Sequence, residues 1–201
     1  MLRHGQTAWN AEQRIQGQLD VPLDDTGRWQ AARLAEALAG EDLQAIYSSD
    51  LARAHATATA IAAVCGAPVT RDVRLRERGF GVFEGHTYAE IEQRWPQEVS
   101  RWRRREPGAG PDGGEPLETF YERCVAAVTE CAAAHPGQAI AIVAHGGVLD
   151  CLYRAAVGVE LGAPRSWQIG NAAINRLLFN GERLSLVGWS DEGHLAGDPL
   201  A

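Results

Sequence analysis

The stretch QAIAIVAHGGVLDCLYRAAVG (residues 138–158) decides the fold. From Ala139 to Ala144 it is apolar throughout, without polar alternation. That pattern predicts a strand covered on both faces, as in a parallel sheet. His145, Gly146 and Gly147 follow, and the glycines let the chain turn sharply into a helix over 147–158. The order strand, histidine, glycines, helix puts His145 beyond the carboxyl end of a buried strand. Ligand sites of open α/β sheets gather there.

Similar units lie to either side. VPLDDTGRWQAARLAEALAG (21–40) predicts a turn and a helix capped by Asp24 or Asp25. Its expected buried stripe is Trp29, Ala32, Leu34, Ala37 and Leu38, with Gly40 as the stop. LQAIYSS (43–49) predicts a short strand, and DLARAHATATAIAAVCG (50–66) a helix with Asp50 near its cap. A short strand is expected around Val69, then an arginine-rich loop over 72–87. TYAEIEQRWP (87–96) predicts a short helix stopped by Pro96, and REPGAGPDGGEP (105–116) a loop. A long helix over 117–137 precedes the deciding stretch. NAAINRLLFNGERLSLVGW (171–189) predicts a hairpin turning at Asn180-Gly181. Helices alternating with short apolar strands predict an α/β three-layer sandwich, a mostly parallel central sheet flanked by helices. A single domain over 1–201 with a lid-like insertion around 78–116 fits this order.

The formal charge of -7 over 201 residues argues against a nucleic-acid partner. There is no signal-peptide pattern and no apolar run long enough for a membrane span, so no membrane partner is expected. Cys65, Cys124, Cys131 and Cys151 lack paired metal spacing and read as reduced thiols of a cytoplasmic protein. No phosphate-binding P-loop or dinucleotide fingerprint is present, and neither a cofactor nor a metal is expected.

Two histidines carry the chemical signal. His4 lies in MLRHGQTAWN (1–10) and His145 in AHGG (144–147), each followed by glycine. Arg53 reads either as a helix-surface residue or as a guanidinium fork for phosphate. Glu77 and Glu84 read either as solvated partners of Arg74, Arg76 or Arg78, or as a proton donor. Phe80, Phe83, Tyr88 and Trp102 read equally as pocket rim or as core of the insertion.

RHGQTAWN, QGQLDVPLDDTG, SSDLARAHATA, LRERGFGVFEG, GGE and VAHGG occur in that order between residues 3 and 147. Together they resemble the histidine phosphatase superfamily, which includes the cofactor-dependent phosphoglycerate mutases. The resemblance implies His4 as a nucleophile that becomes phosphohistidine, with Arg3 and Arg53 clamping the phosphoryl oxygens. His145 would donate hydrogen bonds from the opposite side. Glu77 would act as general acid and then general base. Asn10, Gln16, Gly17 and Gly146 would lie near phosphate or substrate, and Gly113, Gly114 and Glu115 at the pocket rim. Pro116 stands where many phosphatase relatives carry serine.

The implied enzyme is a metal-independent phosphomonoesterase acting on a small phosphorylated metabolite. The alternatives are a phosphoglycerate mutase and a catalytically silent metabolite-binding or scaffold protein. Mutases of the family read Glu-Arg-His-Tyr-Gly where this chain reads Glu77-Arg78-Gly79-Phe80-Gly81, which favours hydrolysis. A homodimer is the one assembly entertained. The chemistry is coherent: a phosphate monoester carries about two negative charges near neutral pH. Two guanidinium groups and an imidazolium would neutralise it. The attacking imidazole needs its second nitrogen held by an acceptor, often a backbone carbonyl.

Relatives place an apolar strand directly before Arg-His-Gly, in the middle of the sheet. Here only Met1 and Leu2 stand in its place. The expectation is a gap of unpaired backbone groups inside the sheet, a loosely held chain end, and a true start upstream of Met1.

Overall fold

A computed structural model describes residues 1–106 and 108–197. The central sheet holds six strands: β1 (Leu2–Arg3), β2 (Leu43–Ser48), β3 (Val69–Arg71), β4 (Ala139–Ala144), β5 (Ile174–Phe179) and β6 (Leu184–Asp191). Their order is β3-β2-β4-β1-β5-β6. The first four run parallel, and β5 and β6 form an antiparallel hairpin beside β1. The helices are α1 (Ala8–Ala11), α2 (Asp25–Ala37), α3 (Ala52–Cys65), α4 (Tyr88–Arg94), α5 (Pro96–Arg103), α6 (Leu117–Ala133) and α7 (Gly146–Val157). Among the described residues no helix is long and apolar enough to cross a membrane.

β4 shows why its sequence is apolar throughout. Ile142 and Ala144 face a core built with Phe120, Cys124 and Val128 of α6 and Val148, Leu149 and Leu152 of α7. Ala141 and Val143 face the opposite core, with Leu34 and Leu38 from the α2 segment and Ala54, Ala58 and Ile61 of α3. Successive side chains of a strand point to opposite faces, so a strand between two helix layers has no polar side. This is the three-layer α/β sandwich expected from the alternation.

Several local expectations are corrected. Asp24 caps α2, accepting from the Gly27 N–H at 2.7 Å. The buried stripe of α2 is Gly27, Ala31, Leu34 and Ala35, continued by Leu38, whereas Ala32 and Ala37 face solvent and Trp29 is half-buried. The stripe follows the three- and four-residue spacing set by the close contact of Gly27 with the loop after β1. Asp50 does not cap α3; its carboxylate forms a two-point ion pair with Arg76, at 2.7 and 2.6 Å. The Ala52 N–H is satisfied instead by Asp20, at 2.7 Å. Pro96 ends α4 but also opens α5 as its first residue, where its missing N–H costs nothing. The β5–β6 turn is longer than two residues. The Asn180 side chain accepts from the Glu182 and Arg183 N–H groups.

The insertion has a small core of its own. Ile15, Phe83, Ile91 and Val99 are buried there, with Trp95 and Trp102 packed against them. Phe83 is thus core, while Tyr88 is exposed and stacks on Trp102. The four aromatic residues divide between the two roles left open above.

The expected gap beside β1 is present. β1 pairs with β4 only at Val143 and Ala144, and with β5 only at Ile174. Beyond that point β4 and β5 enclose a channel of about 820 Å³, walled by residues such as Ile140 and Leu177, with Leu38 and Val128 above and below. The chain end is better held than the sequence suggests. The Met1 ammonium donates to the Asn175 carbonyl at 2.7 Å, and the Met1 carbonyl accepts from the Asn175 N–H at 2.9 Å. Burial, reinforced by Arg176, lowers the Met1 ammonium to about 5.

Candidate active site

The carboxyl ends of β1 and β4 bring His4 and His145 together, their ring centroids 5.1 Å apart. His4 follows β1 directly; its N–H donates to the Ala144 carbonyl at 3.0 Å. Its own carbonyl accepts from the Asn171 amide at 3.0 Å. The His4 Nδ1 lies 2.6 Å from the Gly5 carbonyl. A carbonyl only accepts, so Nδ1 carries the proton and Nε2 keeps its lone pair. The glycine after the histidine is needed for packing. A Cβ on Gly5 would lie 2.4 Å from the Gly27 carbonyl oxygen of α2.

Arg3 and Arg53 flank the histidines, and no carboxylate pairs with either among the described residues. Arg3 donates to the Ile169 carbonyl at 2.6 Å. Arg53, on the first turn of α3 and 1% exposed, donates to the Leu19 and Gly17 carbonyls, both at 2.8 Å. Gly17 therefore orients Arg53 through its backbone. The Nε of both arginines, both ring nitrogens of His145 and the Gln16 Oε1 are buried without a protein partner. Buried polar groups are nearly always satisfied. The Gln16 oxygen can only accept, but the two arginine Nε–H groups and one His145 N–H are unpaired donors gathered at one wall, the chemistry an oxygen-rich anion would meet. Arg53 is lowered to about 10 by burial and remains a cation at neutral pH.

Glu77 completes this wall. Its two oxygens accept from the Gly147 and Arg78 N–H groups, each at 2.9 Å. A Cβ on Gly147 would strike Glu77 Oε1 at 2.2 Å, so the second glycine of His-Gly-Gly admits this carboxylate. Gly146 begins α7 against Arg3. Asn10 also lines the cavity, with its side-chain oxygen engaged in capping α1 and in contact with Asn171. The cavity enclosing these residues has a volume of about 620 Å³. Arg3, His4, Asn10, Gln16, Gly17, Arg53, Glu77 and Gly146 all line it. Glu84, the other glutamate considered, instead accepts from the Gln18 and Phe80 N–H groups.

The imidazolium expected beside the two guanidinium groups is not found in the free site. Both histidines are held well below the usual imidazole range, first by burial and then by the Arg53 and Arg3 charges. Both are therefore neutral in the free site at neutral pH. Stability follows with a definite sign. Below about pH 6.5 the unfolded histidines bind protons that the folded ones refuse, so stability is lost as pH falls. Urea unfolding at pH 7.5 and pH 5.5 should show this loss, and it should shrink in His145→Gln. An unchanged pH dependence in that variant would contradict the burial assignment.

Arg123 of α6 is a residue that sequence reasoning missed. It donates to the Arg74, Arg76 and Glu77 carbonyls at 2.7, 2.9 and 3.1 Å. It also forks onto Glu115, at 2.6 and 2.7 Å. Glu115, placed at the rim by the sequence, is thereby tied to the loop that carries Glu77. The only available signal was an arginine on the buried side of an apolar helix. Arg123→Met should lower kcat about 10- to 100-fold with little change in KM, through displacement of Glu77. The loss should be larger for alkyl phosphates than for p-nitrophenyl phosphate, whose leaving group needs no proton. Equal losses for both would place Arg123 outside the positioning of Glu77.

The family model of the histidine phosphatase superfamily, branch 1, matches residues 1–192. Phosphoglycerate mutase-like protein 4 of Arabidopsis thaliana is 41% identical, over 97% of this chain and 85% of its own. A protein named probable phosphoglycerate mutase GpmB, from Salmonella typhi, is 36% identical over 98% of this chain and 91% of its own. Among solved structures, Bacillus stearothermophilus YhfR superposes with a TM-score of 0.90 at 33% identity, covering 96% of each chain. A mycobacterial glucosyl-3-phosphoglycerate phosphatase gives 0.85 at 34%, covering 96% of this chain and 98% of that one.

The chain belongs to the histidine phosphatase superfamily. Its activity is that of a histidine-phosphatase-type phosphomonoesterase, which binds a small phosphorylated metabolite. Among the described residues no group of three or more His, Cys, Asp and Glu is placed to hold a metal ion.

Proposed function

We propose that the chain hydrolyses small phosphate monoesters in two steps through a phosphohistidine on His4. The observation that carries this is the locked His4 tautomer facing the unpaired donors of Arg3, Arg53 and His145. The substrate phosphoryl group sits among those donors. The His4 Nε2 lone pair attacks phosphorus in line, and the bond to the ester oxygen breaks. Glu77, protonated, gives its proton to the departing oxygen. Water then attacks the phosphohistidine, Glu77 takes a proton from it, and inorganic phosphate leaves with the P–N electrons returned to His4. Arg3, Arg53 and His145 stabilise charge on the equatorial oxygens in both steps. Asn10, Gln16, Gly17 and Gly146 line the floor around the phosphoryl group. The insertion over 78–116 forms the lid, and no metal is needed.

The mutase reading is favoured by the names of two relatives. Hydrolysis is favoured by Gly79 and Phe80, in place of the histidine and tyrosine that follow the acid in mutases. The name of one similar structure adds a phosphoserine phosphatase from Entamoeba histolytica, in complex with 3-phosphoglyceric acid, at 27% identity and a TM-score of 0.86.

His4→Ala should lower turnover of p-nitrophenyl phosphate on the order of 10³-fold or more. EDTA should have no effect. Glu77→Gln should impair alkyl phosphates far more than p-nitrophenyl phosphate. Unchanged turnover in His4→Ala would end the nucleophile assignment. With 3-phosphoglycerate and 2,3-bisphosphoglycerate, phosphate release should outrun isomerisation; the reverse would establish the mutase.

A further inference from the structure

The signature of the phosphate wall, buried polar atoms without a protein partner, recurs at one other place on the same cavity. Among the described residues that line it, those atoms are the Asp150 Oδ1 and the Arg105 Nε. Asp150 lies on α7 and is 5% exposed. Its Oδ2 is filled, accepting from the Arg105 Nη2 at 2.7 Å and from the Arg154 Nε at 3.0 Å. Its Oδ1 accepts from no group among the described residues. Arg105 follows α5 with a φ of 52°, in the left-handed region where glycine is usual, and its guanidinium pairs with Asp150. One unfilled acceptor and one unfilled donor thus belong to a single ion pair. Each is costly to leave unmet, so a ligand group that meets both is strongly selected.

α7 sets where this pair stands relative to the reaction. The Gly147 N–H holds Glu77, and Asp150 is three residues further along the same helix. Residues three apart share a helix face, with about 4.5 Å of axial rise between them. The pair therefore flanks the departing alcohol of the substrate, beyond the proton donor, and stays clear of the phosphoryl group.

We propose that Asp150 and Arg105 form a hydroxyl subsite, holding an alcohol group a few carbon atoms from the ester oxygen. This rests on the phosphomonoesterase reading above. A hydroxyl donates one hydrogen bond and accepts another, so one such group satisfies both the Asp150 Oδ1 and the Arg105 Nε. Charge sharpens the choice. A carboxylate at this position would face the Asp150 Oδ1, and an ammonium would face the Arg105 guanidinium. A neutral hydroxyl meets neither repulsion. Both residues act on specificity, and the chemical step stays with the residues already described. The substrate class is a phosphate monoester of a polyol.

The test compares esters of equal length. 3-Hydroxypropyl phosphate and propyl phosphate differ only in a terminal hydroxyl, too far from the ester oxygen to alter its departure much. The enzyme should show a kcat/KM about tenfold or more higher for the hydroxyl-bearing ester. 3-Aminopropyl phosphate should not exceed propyl phosphate. Arg105→Met removes the donor, and Asp150→Asn turns an amide N–H towards the hydroxyl. Each should bring the hydroxyl advantage below about threefold. Should either variant fail to fold, the ratio in the unchanged enzyme still decides. Equal kcat/KM for the two esters in that enzyme, a preference for the ammonium ester, or equal losses on both esters in Arg105→Met would each overturn the proposal. If p-nitrophenyl phosphate is still hydrolysed in a His4-dependent manner, only the hydroxyl subsite falls. If no phosphate ester is hydrolysed, the phosphomonoesterase reading falls with it.

Discussion

Two guanidinium groups, Arg53 buried and Arg3 half-buried, without a carboxylate partner among the described residues are the constraint on which the rest of the structure depends. Removing a charge from water costs several kcal/mol even after relaxation. A paired carboxylate would offset that cost, and would also cancel the positive field that a phosphate dianion needs. The fold instead aims backbone carbonyls at the guanidinium edges. Ile169 serves Arg3, and Leu19 and Gly17 serve Arg53. The loops over 16–19 and 169–172 have their shape for this reason. Burial first, and then these same cations, keep His4 and His145 neutral. One arrangement thus combines a positive field with a free imidazole lone pair on His4.

A second layer of polar contacts fixes the carboxylate. Glu77 rests on two backbone N–H groups, one of them at the start of α7. Its loop is held from behind by Arg123, which is itself oriented by Glu115. The Glu115 N–H bonds to the Gly79 carbonyl, and Gly114 bridges to Phe80. The glycine-rich segment and the loop that carries Glu77 are therefore one hydrogen-bonded unit. A further link joins Arg105 to Asp150 of α7, beside Arg154. Asp150 thereby ties Arg105 to α7 through a carboxylate that also pairs with Arg154.

Much of this was legible in the chain, for physical reasons tied to particular residues. The apolar run of β4 announced a strand between two helix layers, because neither face has room for polar groups. His145-Gly146-Gly147 announced a turn at the strand's carboxyl end, and Gly147 proved necessary for Glu77 to approach. The helical stripe of α2 was misphased, because its inner face is set by Gly27 packing on the loop after β1. Asp50 was read as a cap because capping is a local habit; a distant arginine, Arg76, took it instead. Arg123 gave no local signal at all. Its partners lie at residues 74, 76, 77 and 115, and only tertiary folding brings them within reach.

By itself, the sequence determined the layer architecture, through periodicity and turn chemistry, and placed the two histidines each before a glycine. The arginine pair and the glutamate were singled out by the resemblance of their motifs to the histidine phosphatase superfamily. Only the tertiary structure decided the protonation and orientation of those groups. A tautomer depends on which carbonyl faces a ring nitrogen, and a pKa on burial and on charges from remote segments. It also decided which arginines are spent on structure, such as Arg76 on Asp50 and Arg123 on Glu115. Composition counts charges, but pairing is a property of distances between side chains far apart in the chain.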